Sequence, residues 1–434
     1  MKKATSLKMA LMFISVISHS AFASFARVES MGKKAVFFMD DISIFDNPAN
    51  INVFPNFLIG EMGSFLPNDI DKSAIQDGSF LVDSVSYVNP RYNRDPQDPW
   101  FGGIFSYSAG KEEEGNFYPQ YSIAGAFNRR DESILSLLPD SVVVNSSDSS
   151  ATVVVPQPVT NFDGFIGATL RGGGMLGAHI YMALQDGANF ENGKVIGGLD
   201  PDISLTVYKG NLGLNWPIGR NIDGELSVGG AIIGFGPSSI DRNVSFFTKA
   251  RAFITFEMIK GEVVPVFRYS NMNLPGKEIV DITAGIGINA SLDRGFFWVG
   301  AEFLSQSSSF FGYSSNLRYY DPSRHDNLTS DKQLYGANIS FGIERNIWWD
   351  WLVLRVGGQK LIALQKQDGD YFMVTNPSAT GTPSDNIGFG IGINVEEKLK
   401  VDATLAEDFL YTGGALLSGP QHHVISRVSA TYSF

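Results

Sequence analysis

His179 is followed two residues later by Tyr181, and His422 stands next to His423. With no Cys anywhere in 434 residues, thiolate chemistry is excluded, and a metal site or a Ser/His/acid set would have to draw on these histidines. The spacing argues against both. Adjacent residues of a strand point to opposite faces, so His422 and His423 would not share an ion. His179 and Tyr181 fall on one face, but nothing nearby marks a nucleophile, and a buried hydrogen bond is the expected role of the histidine. The glycine run Arg171-Gly172-Gly173-Gly174 is not followed by Lys-Ser/Thr, so it reads as a turn, not a phosphate loop. The sequence therefore predicts no enzyme, no metal site and no cofactor.

A second group of charges is better placed. Asp40, Asp41 and Asp46 lie in an early stretch crowded with Asn and Pro, "SIFDNPANINVFPN" after Asp40-Asp41-Ile42. Lys249, Arg251, Arg268, Arg355 and Arg427 recur much later, each on the polar face of an alternating segment. Carboxylates removed from water need partners, and these bases could supply them if the early stretch packs inside whatever the later segments build.

The later segments alternate with period two. Ile282, Ala284, Ile286, Ile288, Ala290 and Leu292 take one face, while Asp281, Thr283, Gly285, Gly287, Asn289 and Ser291 take the other. Residues 335–344 and 387–395 repeat the pattern, with Gly342, Gly388, Gly390 and Gly392 on the polar side. Such alternation means strands with one apolar and one polar face. Sixteen such segments can be counted between residues 56 and 434. Most have about 10 residues, the length a tilted strand needs to cross a bilayer. Tight turns alternate with long connections at 66–99, 130–160, 307–334 and 363–384, and the segment 110–119 is long for the short-turn side. Trp216, Trp348, Trp349 and Trp351 all flank tight turns, as in an interfacial girdle. One irregularity stands out. Ile203, Leu205 and Val207 set an odd apolar phase, and Leu212, Leu214 and Trp216 an even one, which predicts a bulge near Tyr208.

The ends of the chain agree with export. Lys2, Lys3 and Lys8 precede a short apolar run, and Ala21-Phe22-Ala23 is a small-x-small cleavage site. Residues 1–23 read as a signal peptide. Their removal leaves 30 basic against 45 acidic residues, a net charge of −15 that does not suggest a nucleic-acid partner. The last strand places Tyr432 and the terminal Phe434 on its apolar face. This ending resembles the insertion signal that the barrel assembly machinery reads in outer-membrane proteins.

The expected protein is all-β, a single transmembrane antiparallel barrel in the lipid of a Gram-negative outer membrane. Residues 24–55 would form a lumenal plug and residues 56–434 the barrel. The stretch Arg27 to Ala49, through Met31, Gly32, Asp40, Asp41, Phe45, Asn47 and Pro48, resembles the N-terminal signature of FadL-like outer-membrane proteins, PorV-like members included. It departs from that signature at Lys33, Lys34 and Asn50. The resemblance implies a plug inside the barrel, and it implies fourteen strands against the sixteen counted. It implies transport of a hydrophobic or amphipathic small molecule. As an alternative it implies docking of secretion or surface-attachment proteins, for which the aromatics Phe310, Phe311, Tyr313, Tyr319 and Tyr320 of the 307–334 loop are candidates. Inward apolar residues are expected only in patches, at Phe247 and Phe253, and at Phe296, Trp298 and Leu304. The polar-face glycines would leave room for plug backbone, and Gly287→Ser would be far milder than Ile286→Arg.

Overall fold

The computed structural model describes residues 24–63, 81–86 and 99–434, less 33–34, 55, 83–84, 109–118, 136, 139–140, 146–149, 155–157, 159, 186–202, 238–240, 311–312, 315–331, 368–369, 375–385, 397 and 406–424. The signal-peptide reading of 1–23, most of the aromatic loop 307–334, the segment 110–118, and His325, His422 and His423 lie outside the described residues.

Sixteen strands form a closed antiparallel ring. We number them β1 (Phe57–Gly63), β2 (Trp100–Ser108), β3 (Gln120–Phe127), β4 (Thr160–Thr169), β5 (Met175–Gln185), β6 (Ile203–Pro217), β7 (Ile222–Pro237) and β8 (Asp241–Phe256). The ring continues with β9 (Gly261–Leu274), β10 (Lys277–Leu292), β11 (Gly295–Phe310), β12 (Lys332–Asn346), β13 (Leu352–Gln367), β14 (Asn386–Val395), β15 (Leu399–Leu405) and β16 (Ile425–Ser433). Each strand pairs with its sequence neighbour, and β1 closes on β16 with Phe57 opposite Ser433. Asp370–Val374 extends the edge of β13 beyond its pairing with β14. The count of sixteen stands, and the fourteen implied by the family resemblance does not describe this wall.

Closure removes the unpaired edges that would otherwise template aggregation and leaves every ladder hydrogen bond inside the wall. The two faces then divide by chemistry. Leu212 is 67% exposed, Ile166 64% and Phe303 59%, all on the outside. A monomer in water does not expose a continuous apolar surface of this kind; a hydrocarbon bilayer accepts it. The chain is thus a transmembrane barrel with the architecture of Gram-negative outer-membrane proteins. Trp348 and Trp349 protrude at one short turn, and Trp349 stacks on Trp351 with ring centroids 5.3 Å apart. No helix among the described residues is long and apolar enough to span a membrane.

The bulge expected near Tyr208 is absent. β6 pairs without interruption from Ile203 opposite Pro237 to Pro217 opposite Asp223. Odd residues face inward throughout: Leu205 and Val207 are buried, and so are Lys209, Asn211 and Asn215. The apolar phase changes because the lumen changes along its height. At one end of β6 the lumen is filled by apolar side chains and at the other by polar ones, so a single straight strand carries both patterns.

Ile286 is 56% exposed and faces lipid. Ile286 lies near the middle of β10, and Ile286→Arg is expected to destabilise the barrel by about 2–4 kcal/mol. Urea-dependent loss of the heat-modifiable band measures this, with Ile286→Val as the neutral comparison; equal midpoints for the two variants would contradict the lipid-facing assignment. Gly287→Ser is not the mild inward control that the alternation suggests. A Cβ there would lie 2.3 Å from the ring of Phe37, so this substitution disturbs the lumen contents.

Candidate functional site: the filled lumen

Residues 24–32 and 35–54 thread the lumen and are almost wholly buried by the wall. The segment makes only short local structure. A six-residue helix, α1 (Phe25–Ser30), is capped by the Ser24 hydroxyl, which accepts from Arg27 N at 3.2 Å. Two 3₁₀ turns follow, Asp41–Phe45 capped by Asp40 and Pro48–Asn52 capped by Asn47. Pro48 sits at the first helical position, where its missing N–H costs nothing.

Buried backbone without helix or sheet must find hydrogen bonds elsewhere, and the wall provides them through side chains. Arg251 donates one amino group to the carbonyls of Ala35, Val36 and Phe38, each at 3.2 Å. Asn289 donates to the Phe37 carbonyl at 2.7 Å. Within the segment the asparagines do the same work. Asn52 Nδ2 donates to the carbonyls of Ala49 and, in the wall, Leu176, both at 3.0 Å. Asn47 and Asn50 interlock with Asn215 of β6 through their side-chain amides. This accounts for the Asn-rich composition: the amide is a neutral group that can donate and accept in one place.

Wall glycines allow the close approach. At Gly32 the backbone has φ 90°, and a Cβ would stand 2.9 Å from Gly358 N, so this turn needs glycine on both grounds. Of the six glycines singled out by alternation, Gly287, Gly342, Gly388 and Gly390 lie against the segment, whereas Gly285 and Gly392 face neighbouring wall side chains. Gly167, Gly177 and Gly213 also abut it and were not singled out.

The charged anchor differs from expectation. Asp40 does not reach a lumenal base; it pairs with Arg27, inside the segment, at 2.9 Å. Arg27 then bridges to the wall, donating twice to Glu344 at 2.8 and 2.7 Å. Glu344 also accepts from Arg355 at 3.0 Å, and Arg355 donates to Asp402 at 2.6 Å. Asp402 in turn accepts from the Ser24 hydroxyl at 3.1 Å. Arg427 pairs with Glu29 of the segment and Glu61 of β1, both at 3.0 Å. Lys249 reaches Asp46 at 2.5 Å, Arg251 pairs with Glu225, and Arg268 pairs with Glu302. All five predicted bases face inward, but only Lys249, Arg251 and Arg427 bond the segment directly. Burial opposes the Arg27 charge, and the pull of Glu344 and Asp40 outweighs it, so the guanidinium is held protonated more firmly than usual.

Asp41 has no such partner. Both of its oxygens are buried and accept no hydrogen bond. Burial, and then the neighbouring Asp40 charge, push its carboxyl well above the usual carboxylate range. The folded state therefore holds the Asp41 proton more tightly than the unfolded state. The Asp41 contribution to seating is expected to be fully present below pH about 4, the ordinary Asp range, and to be lost as pH rises through the raised value, whereas the paired Glu344 and Asp46 contribute in the opposite sense and lose their contribution at acid pH. Asp41→Asn should remove the Asp41 part of this dependence and firm the segment at neutral pH. Protease protection of residues 35–54 between pH 4 and 9 reads it; an unchanged pH profile in the variant would contradict the assignment.

His179 is engaged through both ring nitrogens, Nε2 with Asp163 at 2.8 Å and Nδ1 with Asn211 at 2.6 Å, which leaves neither for a metal. Among the described residues no cluster of three or more His, Asp or Glu could hold an ion. The remaining lumen chemistry is apolar. Phe45, Phe57, Trp100, Ile104 and Phe165, together with Asp41, line a small pocket of about 20 Å³, roughly the room for one water. A larger apolar cluster joins Leu205, Val207, Ile233 and Phe235 to Ile134, Leu135 and Leu138 of a second insert. Leu304, Leu334, Leu361 and Ala363 form a third on the opposite wall. Tyr432 and Phe434 face outward, and the Phe434 backbone donates to the Asn56 carbonyl at 3.1 Å where the ring closes.

No protein-family model and no curated protein matches the chain. Among solved structures, the toluene transporter TodX of P. putida aligns over 94% of this chain and 98% of its own, at 11% identity and TM-score 0.36. The toluene transporter TbuX of Ralstonia pickettii aligns over 96% and 99%, at 9% identity and TM-score 0.29. CdiB from Escherichia coli aligns over 88% and 63%, at 11% identity and TM-score 0.38. Likeness at this level is too slight to assign a function.

Proposed function

We propose that this chain is a FadL-like outer-membrane channel for a hydrophobic or amphipathic small molecule, with residues 24–54 as its plug. One observation carries the reading. Inward positions that are polar in a water-filled porin are here apolar at several levels, from Phe57, Ile104 and Phe165 to Leu205, Val207, Ile233 and Phe235. Such a lining favours transfer of apolar solutes over sugars or ions. The buried segment, tied by ion pairs and amides and not by sheet pairing, is an element that can leave without unzipping the wall.

The test is a pair of flux measurements on the protein in liposomes. Deleting residues 27–50 should raise passage of an aromatic hydrocarbon and also small-ion conductance, while the barrel remains heat-modifiable. If conductance stays at the level of the intact protein, the segment is not the plug. Absence of hydrocarbon flux in both forms, together with stable co-purification of secretion-system components, would favour the PorV-like docking role instead.

A further inference from the structure

We propose that the second insert, residues 128–135 with 137 and 138, and the N-terminal segment form one closure joined at Arg129, so that displacing the insert releases the segment. The proposal rests on the plug reading above and adds to it a second moving part and the contact that links the two.

The insert enters from the opposite end of the lumen, in the connection between β3 and β4. Its short helix α2 (Glu132–Leu135) buries Ile134 and Leu135 against Leu205, Val207 and Phe235. Its start is fixed by polar contacts. Asp131 accepts from Lys209 at 2.7 Å, and the Asp131 backbone donates to the Tyr181 hydroxyl at 3.1 Å. Arg129 lies where the two inserted pieces meet. It donates twice to Asp163 of β4, at 2.8 and 2.7 Å, and its guanidinium stands 3.8 Å above the ring of Phe45. Phe45 belongs to the N-terminal segment.

A second line of contacts runs in parallel. Asp163 also binds His179, and His179 lies flat on Phe165 with centroids 4.1 Å apart. Phe165 packs on Phe45 at 5.5 Å. On its other side His179 holds Asn211, which donates to the Asp46 carbonyl at 3.5 Å. Arg129 is two residues from Asp131, so the insert cannot withdraw without pulling the guanidinium off Phe45 and away from Asp163. A desolvated cation–π contact and a buried ion pair would be lost together. Each piece therefore adds to the seating free energy of the other, which is what coupling between sites means.

Because the chain has no Cys, a single reporter thiol is clean. Ser43→Cys places it on the N-terminal segment at a buried position. In liposomes this thiol should react slowly with a maleimide. Arg129→Met should raise the rate about tenfold or more. Ile134→Asp with Leu135→Asp, which unseats the insert without touching Phe45, should do the same. Arg130→Met should leave the rate unchanged. The proposal falls if the Ile134/Leu135 variant exposes residues 131–138 to protease while Ser43→Cys keeps its slow rate. Rapid labelling in the parent protein would instead overturn the plug reading beneath it. Heat-modifiability of each variant confirms a folded barrel.

Discussion

Arg27→Ala releases the N-terminal segment from the wall while leaving the barrel intact. Arg27 is the only cation paired with Asp40 among the described ion pairs, and both side chains are fully enclosed. Removing it strands the Asp40 carboxylate, whereas Glu344 keeps Arg355. Loss of one partner from a buried pair typically costs about 3–5 kcal/mol, because the remaining charge has neither water nor a counter-charge. Asp40→Asn should cost less: Arg27 retains its two bonds to Glu344, and the amide can still cap the turn that follows. The loss falls on the segment, since none of the sixteen ladders passes through Arg27. Protease sensitivity of residues 24–54 and single-channel conductance should both rise, and the heat-modifiable band should persist. If Arg27→Ala leaves protection and conductance at the level of the parent protein, the pair does not anchor the segment.

The wall was readable from period two alone, because every wall residue obeys the same rule: inward or outward by parity. That is why sixteen strands and the inward course of Lys249, Arg251, Arg268, Arg355 and Arg427 could be placed. Pairing is a different matter. Parity puts Glu344 and Asp402 on the inner face as surely as it does Arg355, yet which acid meets which base depends on register between strands far apart in sequence. Arg27 and Asp40, thirteen residues apart, met each other because the intervening turn at Gly32 folds the segment back. Asp41 is adjacent to Asp40 and looks equivalent in sequence, but it points where no donor stands. The false bulge at Tyr208 has a related cause. Apolar period marks the lipid face only where the lumen is polar, and at Leu205 and Val207 the lumen is not. Nothing in residues 128–138 announces that a loop turns inward; the apolar Ile134, Leu135, Leu137 and Leu138 so close to Arg129 and Asp131 are the one signal available.

Gly213→Val should drive Asn47 to Ala49 out of its seat and open the lumen with no loss of wall stability. Gly213 faces inward on β6, and a Cβ there would lie 1.9 Å from Asn47 Oδ1 and 2.8 Å from Ala49 N. Those atoms belong to the cap of the Pro48–Asn52 turn, in which Asn47 Oδ1 accepts from Ala49 N at 3.2 Å. A valine therefore cannot fit by bending a flexible tip; it must move a cap and the backbone behind it. Overpacking alone costs about 1–3 kcal/mol, and loss of the cap adds about 1 kcal/mol. The interlock of Asn47 with Asn215, two residues along the same strand, goes with it. The strand itself pairs on both sides through position 213, and valine suits a strand better than glycine. Opposite signs are thus expected from two readouts: higher conductance and faster proteolysis of residues 40–54, with a heat-modification temperature equal to or above that of the parent. Gly210→Val is the control. It is three residues away on the lipid-facing side, where a Cβ would meet nothing nearer than 3.8 Å, and it should change neither conductance nor proteolysis. If the two variants behave alike, the contact between Gly213 and the capped turn does not hold the segment in place.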